Sequence, residues 1–392
     1  MKAFSVLSGL ALAVSVQAQA KGNAFGFATG TTGGGSATPV YPKTNADRAS
    51  SRLVSFLTSS SPAVIMIDRT FDFLASEGTT TEQCCSDNRT TKCPGGTSKG
   101  QLWIGNTCDD GTWETCTYYK APRTPIDVKS NKSIVGVGSK GVIRGKGLRL
   151  RGGTTNVIIQ NIHFTELNPQ FVWGGDAITL DGSDRVWIDH NKFSLVGRQF
   201  IVSGWGAAGK VTISDNEFDG RTTWSAGCNG KHYWAMLLIG SSDSYTLSGN
   251  WIHDTSGRSP HVGTNTNIVV HAVNNYFQNI GGHAFDVDGG VWMLLEGNYF
   301  ENVNTPVTQD SYTKGGQVYY IQTVADASNA QSALGYIPEW NRNAGTTTAA
   351  KTLTSSAALG KLGQFKSSIT WKHWAVTDVP ANVRARAGVG KV

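Results

Sequence analysis

The 392-residue sequence predicts an all-β fold, a parallel β-helix with long loops on one face, and three observations point to it. Six short runs rich in Val, Ile, Leu and Thr end alike: NVIIQNIHF (156 to 164), RVWIDHNKF (185 to 193), KVTISDNEF (210 to 218), SYTLSGNWI (244 to 252), VVHAVNNYF (269 to 277) and WMLLEGNYF (292 to 300). Each has an Asn near its close, Asn161, Asn191, Asn216, Asn250, Asn275 and Asn298, at intervals of 30, 25, 34, 25 and 23 residues, which is a solenoid period. The sequence between the runs is turn-rich in Gly and Asn rather than helical, which excludes a leucine-rich repeat. In a β-helix each rung stacks on the next at strand spacing, so equivalent residues form columns. Asn suits a repeated bend, because it tolerates left-handed backbone and its amide can bond from rung to rung. The six Asn are expected to hold turns, not substrate.

Along the chain, residues 1 to 20 read as a secretory signal: Lys2, an apolar run from Phe4 to Val16, then small residues up to Ala18 or Ala20. Residues 21 to 392 are expected to form one β-helix domain, secreted and monomeric. No later run is long and apolar enough to span a bilayer, so no membrane partner is expected. Ala46, Ala49, Leu53, Val54 and Leu57 have the spacing of a short helix that buries one side and caps the first rung. Long intervals imply loops gathered on one face, and the loop between Asn216 and Asn250 contains TTWSAGCNGKHYWAM. From about Ser311 the pattern fades into a tail packed along the coil.

An exported chain meets an oxidising compartment, so six cysteines suggest disulfides. Cys84, Cys85, Cys93, Cys108 and Cys116 lie close together, and Cys228 is expected to tie a late segment to them. Which of the fifteen or so pairings occurs stays open. Asn88 and Asn131 begin glycosylation sequons. A formal charge of +6 favours polyanions weakly, and no Lys/Arg run, zinc-finger spacing or basic helix makes a nucleic-acid case.

The common hydrolase and nucleotide motifs are absent: no G-x-S-x-G elbow, no H-E-x-x-H, no Gly-rich phosphate loop. The candidates are charges beside turns, Asp176 in VWGGDAITLDG, Arg198 in LVGRQF, and Arg258 with His261 in SGRSPHVG. They follow successive strands, so a β-helix can stack them into one patch.

Together TGGGSATPVYP, TFDFLASEGTTT, SNKSIVGVGSKGVIRGKGLRL, IIQNI, VWGGDAITLDG, VWIDHNKF, GRQ, CNGKHYWA and TSGRSPHV resemble a fungal pectin lyase of the pectate lyase superfamily, from about Phe25 to about Asn304. VWIDH alone indicates only the superfamily; WGGDAITLDG with GRQ, HYWA and SGRSP is more specific. The resemblance implies a right-handed single-stranded β-helix that cleaves methyl-esterified polygalacturonan, pectin, by β-elimination. It implies Arg258 as the catalytic base, with Asp176 and Arg198 lining the same groove. Pectate lyases hold calcium with carboxylates near these positions, and Arg198 stands where they place acid, so no metal and no cofactor is expected.

Elimination removes the C5 proton, α to the C6 carbonyl, and expels the C4 oxygen. An ester carbonyl tolerates developing negative charge better than an ionised carboxylate, so it needs less electrophilic help, and Arg198 can supply a fixed cation. A guanidinium base requires a nearby cation and removal from water to lower its pKa. The other reading of Arg258 is an enolate stabiliser while another species takes the proton. Where pectin lyases commonly have Lys after the Pro of this segment, the chain has His261, expected to be auxiliary. Esterified substrate favours aromatic stacking, and Trp173, Tyr233, Trp234 and Trp103 are the expected sugar platforms. Trp187, Trp205, Trp251 and Trp292 are expected in rung packing, and Asp189 and His190 as buried, hydrogen-bonded groups. The alternatives are a calcium-dependent pectate lyase and a noncatalytic pectin-binding coil.

Overall fold

The computed structural model describes residues 20–44, 52–87, 93, 99–264, 267–345, 353–369 and 373–392. Residues 1–19 of the signal segment, Ala46, Ala49 and Asn88 lie outside them. Parallel strands coil into three sheets along a common axis, a right-handed parallel β-helix, the hand that parallel crossovers take. The first sheet carries Ile126–Val128, the front of Leu148–Gln160 and of Ile178–Asp189, then Ile201–Ser203, Met236–Leu238, His261–Val262, His283–Val287 and Thr305–Val307. The second sheet takes the rear of those two long strands, then Lys210–Ser214, Ser244–Ser248, Ile268–Val273, Val291–Glu296 and Gln317–Tyr320. A nine-stranded third sheet closes the coil from Thr70–Asp72 to Arg342–Ala344.

Register turns the sequence repeat into columns. Ile134, Ile159, Ile188, Ile213, Leu247, Ala272, Leu295 and Tyr320 pair rung by rung and point inward. Phe164, Phe193 and Phe218 stack with centroids 5.4 and 5.0 Å apart and rings within 8° of parallel. Each such buried side chain contributes about 1.5–3 kcal/mol, and this stack is the core.

The Asn repeat resolves into two adjacent columns. Asn191, Asn216, Asn250, Asn275, Asn298 and Asn341 form a buried ladder in which each Oδ1 from Asn216 onward accepts both the backbone N–H and the Nδ2 of the preceding Asn at 2.8–3.1 Å. The left-handed geometry belongs to the residue before each of the first five, at His190, Asp215, Gly249, Asn274 and Gly297. Asn161 is in that column, with φ 62°, and Ile162 occupies its rung's ladder position. Asn161 thus holds its turn as expected, with Nδ2 donating to Gly136 O at 2.7 Å, but one residue ahead of the ladder that the other five share; Asn341 had no visible strand run to mark it.

The helix Arg52–Thr58 buries Leu53 and Leu57 against Ile65, Ile67 and Ile126, covering the edge strand Ile126–Val128 as expected of a cap. The tail is more regular than its sequence indicates: two further rung strands, Gln317–Tyr320 and Arg342–Ala344, alternate with helices Val324–Leu334 and Ser356–Leu362. The helices pack on the outside of the second sheet through Ala330, Leu334, Leu359 and Leu362. Cys84 pairs with Cys116, Cys85 with Cys108, and Cys93 with Cys228, so Cys228 does tie the late loop to the early cluster. Asn131 is half-buried and its Oδ1 accepts from Asn156 Nδ2 at 2.8 Å.

Replacing Asn250 by Ala strands the Asn216 N–H and amide in the interior and is expected to cost about 2–4 kcal/mol in urea unfolding, against under about 1 kcal/mol for the more peripheral Thr81→Ala. Equal losses would show that the ladder adds nothing beyond ordinary strand pairing.

Candidate active site

Asp176, Arg198 and Arg258 each lie two or three residues ahead of a first-sheet strand, at one edge of that sheet. The backbone joins them rung to rung: Arg198 N–H donates to Gly175 O, Ala177 to Gln199, Phe200 to Ala235 and Met236 to Arg258, all at 2.7–3.0 Å. With rungs about 4.8 Å apart, Arg198 and Arg258 stand two steps from each other along the axis. The structure therefore brings the three predicted charges to one groove.

The local sequence explains how each is aimed. Trp173 has left-handed backbone, φ 69°, and a Cβ on Gly175 would lie 2.5 Å from Pro122 O, so WGG is the run that lets Asp176 enter the groove. Asp176 accepts from Gln199 N–H at 2.8 Å and pairs with Arg198 at 3.2 Å. Arg198 lies 3.8 Å over the Trp173 ring. At the far side, a Cβ on Gly257 would fall 2.5 Å from the Tyr233 ring, so GRS allows that ring against the turn. Arg258, with φ 48°, places its guanidinium 4.9 Å from the Trp234 centroid and 5.9 Å from that of Tyr233.

Burial pushes the Arg258 guanidinium below its ordinary range; Tyr233 opposes that shift and the Arg198 charge adds to it. Burial likewise pushes the Asp176 carboxyl up, against the pull of Arg198, although its side chain keeps 21% of its surface exposed. The site is thus a part-buried niche that weakens the hold of one guanidinium on its proton.

The aromatic expectations divide. Trp173 is exposed, and Tyr233 is half-buried beside Arg258. Trp234 is not an open platform: only 8% of it is exposed, and its Nε1 donates to Gln101 at 3.0 Å. Trp103 is half-buried edge-on behind it, at 6.0 Å. Trp187 is buried and Trp251 and Trp292 half-buried, as packing residues should be, but Trp205 stands out of the coil, 77% exposed just past Ile201–Ser203. His261, three residues after Arg258, bonds through Nε2 to Asp288 at 3.0 Å on the next rung. Asp189 and His190 are buried and bonded to one another at 2.7 Å, as expected.

Sequence reasoning passed over four neighbours. His283 Nε2 accepts the Arg258 N–H at 3.2 Å, fixing that turn from the next rung. His232 is buried against Phe200 at 4.6 Å, and its Nε2 donates to Arg198 O at 2.7 Å. Arg149 and Thr179 line the cavity of about 280 Å³ that also contains Trp173, Asp176 and Arg198. The alternating run GGHAFDVDG was the available signal for His283; Arg149 had none beyond its charge.

Facing the groove, Arg149, Thr179, Val202 and Leu237 form one register column. Calcium takes about six to eight oxygen ligands. Here a guanidinium covers Asp176 and the next positions along the floor are apolar, so the residues present do not fit that ion. Among the described residues, the His and carboxylate groups near enough to share an ion, Asp189 with His190 and Asp215, and Glu217 with Asp219 and His253, already pair with Arg386 and with Lys192 and Arg221.

Comparison with known proteins places this groove. The profile of the Pectate lyase family matches residues 107–364. The chain is 62% identical over 391 residues to a probable pectin lyase E of Aspergillus fumigatus, with 99% of both chains covered. This chain belongs to the pectin lyase branch of the pectate lyase family. It is 61% identical over 392 residues to a probable pectin lyase F-1 of Aspergillus terreus, again with 99% of both covered. Among solved structures, a pectate lyase from Bacillus sp. N165 in complex with trigalacturonate superposes with a TM-score of 0.57 at 21% identity, covering 93% of this chain and 98% of that one. A pectate lyase from Paenibacillus sp. 0602 gives 0.58 at 18% identity, covering 94% and 96%. These likenesses carry the fold.

Burial pushes His232 down to about 4, so the fold selects its neutral form. Its contribution is whole above the unfolded value near 6.5 and is lost as pH falls from there through about 4, a total of about 3 kcal/mol. Urea unfolding across this window should show a shallower pH slope for His232→Phe than for the native chain; parallel slopes would exclude His232 as a source of the acid lability.

Proposed function

We propose that the protein is an endo-acting pectin lyase that cleaves methyl-esterified α-1,4-polygalacturonan by β-elimination without calcium. The observation that carries this reading is the Arg258 guanidinium, held against Trp234 and two rungs from the Asp176–Arg198 pair. Pectin chains lie along the first sheet with the scissile residue between Arg198 and Arg258. Trp173 and Tyr233 offer apolar faces to the sugars and their methyl esters, while Trp234 and Trp103 back Arg258 and keep water from it.

In the reaction the C5–H bond breaks and its electron pair forms the C4–C5 double bond. The C4–O bond breaks, and the departing sugar oxygen takes a proton from solvent. Arg258, which burial helps to give up its own proton to solvent beforehand, accepts the C5 proton on its neutral guanidine nitrogen and then returns it to solvent. Arg198 faces the negative charge that gathers on the ester carbonyl oxygen. Asp176 holds Arg198 in place, and His232 fixes the backbone from which Arg198 projects. The product bears a 4,5-unsaturated ester end.

The three disulfides and the apolar leader support export, with the signal removed near Ala20 and the mature enzyme acting outside the cell as a monomer.

Turnover should appear as ultraviolet absorbance of unsaturated product from highly methylated pectin, unchanged by chelator and much weaker on unesterified polygalacturonate. Chelator-sensitive activity that prefers the unesterified chain would identify a pectate lyase, and binding without product a noncatalytic coil. Arg258→Lys and Arg198→Ala should each lower kcat by about 100-fold or more with the thermal midpoint nearly unchanged. A matching loss of stability would make both residues structural.

A further inference from the structure

The groove changes sign along its length. Before the Asp176 rung, Arg149 lies between Asp127 and Thr179 in register, and its Nε donates to Asp127 at 2.7 Å. Arg123 enters the same cavity from the turn Ala121–Arg123, its guanidinium 5.4 Å from the Tyr118 ring. An adjoining cavity of about 410 Å³ shares Arg123 and adds Lys120. With Arg151 on the outer side of Asp127, Arg198 on Asp176, Lys146 on Glu77, and Glu82 beside Tyr118, this end sets six cations against four carboxylates.

Past Arg258 the balance reverses. Asp286 is the register partner of His261 and accepts from Thr308 Oγ1 at 2.8 Å. Asp288 lies 3.0 Å from His261 Nε2 and 3.3 Å from Lys314 Nζ, and Lys314 in turn reaches Asp310 at 3.5 Å. Three carboxylates here face one lysine. Asp286 and Asp288 are fixed rather than free to swing away, with only 15% and 14% of their side chains exposed.

From the Arg149 rung to the Asp286 rung is five steps, about 24 Å along the axis. That exceeds the screening length of about 8 Å at physiological salt, so each end acts on the sugar beside it and not on the other end's occupant. A methyl ester is neutral to both fields. A free carboxylate gains charge-assisted hydrogen bonds beside Arg123 and Arg149 and meets like charge beside Asp286 and Asp288.

We propose that the groove reads the pattern of de-esterification: it holds an unesterified galacturonate at the Arg123–Arg149 end and rejects one at the Asp286–Asp288 end. This rests on pectin being the substrate of the groove, and it makes partly de-esterified pectin, not only the full ester, a proper substrate.

The test is digestion of pectin with randomly placed free carboxylates, followed by mass-spectrometric sequencing of the products. Free carboxylates should be enriched on one side of the new double bond and depleted on the other; an even distribution would overturn the proposal. The double variant Arg123→Leu with Arg149→Leu should lower the ratio of kcat/KM on partly de-esterified over fully methylated pectin by about tenfold. An unchanged ratio in folded variant, checked by circular dichroism, would also overturn it. Should Arg149→Leu fail to fold, Arg123→Leu alone changes an exposed side chain and should shift the ratio in the same direction. Calorimetric binding of a short unesterified oligogalacturonate, weakened about tenfold in the variant, reads the subsite without turnover. Absence of unsaturated product from both pectins would fail the lyase reading instead, while this binding result would still decide the subsite.

Discussion

Parallel hydrogen bonding from rung to rung is the constraint on which the rest depends. It fixes adjacent strands about 4.8 Å apart and forbids a slip of one residue, since a slip would turn the inward column from Ile134 to Tyr320 out into water. The Asn ladder adds a second lock at the bend between sheets, where an unpaired amide would otherwise be buried. Because register is fixed, residues 82 positions apart in the chain, Asp176 and Arg258, meet the solvent at the same edge.

Chemistry is placed where this regularity ends. Asp176, Arg198 and Arg258 sit in the turns that feed the first sheet, and both Trp173 and Arg258 adopt left-handed backbone there. Such positions cost about 1 kcal/mol or more for a residue other than Gly, and the next rung helps to hold Arg258 through His283 on its N–H, while His232 fixes the carbonyl of Arg198. Two guanidinium groups within a few rungs repel one another. Asp176 offsets the charge of Arg198 in a direct ion pair, whereas Arg258 packs on aromatic rings and feels Asp286 only from a distance, so burial prevails and weakens its proton affinity.

How much of this could be read from the sequence depended on whether a residue took part in the repeat. The ladder from Asn191 to Asn298 was legible because strand period and Asn coincide, and the three charges because each follows a strand. That Asn161 belongs to the turn column and not to the ladder was illegible because Ile162, which takes its rung's ladder position, carries no polar mark; Asn341 was hidden by the 43 residues that separate it from Asn298. Within loops there is no alternation to say which of two adjacent rings faces out, and so Tyr233 and Trp234 could not be told apart. Trp205, expected in rung packing with Trp187, Trp251 and Trp292, lies beyond the last paired residue of its strand, where the inward column no longer claims it. Arg149 and His283 were missed because their meaning comes from partners on other rungs.

The disulfide between Cys93 and Cys228 shows why the aromatic wall behind Arg258 can be built from loops at all. It joins segments 135 residues apart, and closing so long a loop removes roughly 5 kcal/mol of unfolded-state freedom in the chain-entropy view. Close by, Lys99 bridges to Trp224, and Gln101 reaches from the early segment to Trp234 Nε1 while its own amide donates to Pro169 and Gly197 carbonyls. The early segment is thereby fastened both to the late loop and to the rungs that carry Asp176 and Arg198. A loop free to drift would let water reach the guanidinium and restore its full affinity for a proton; pinned on both sides, Trp234 keeps that face dry.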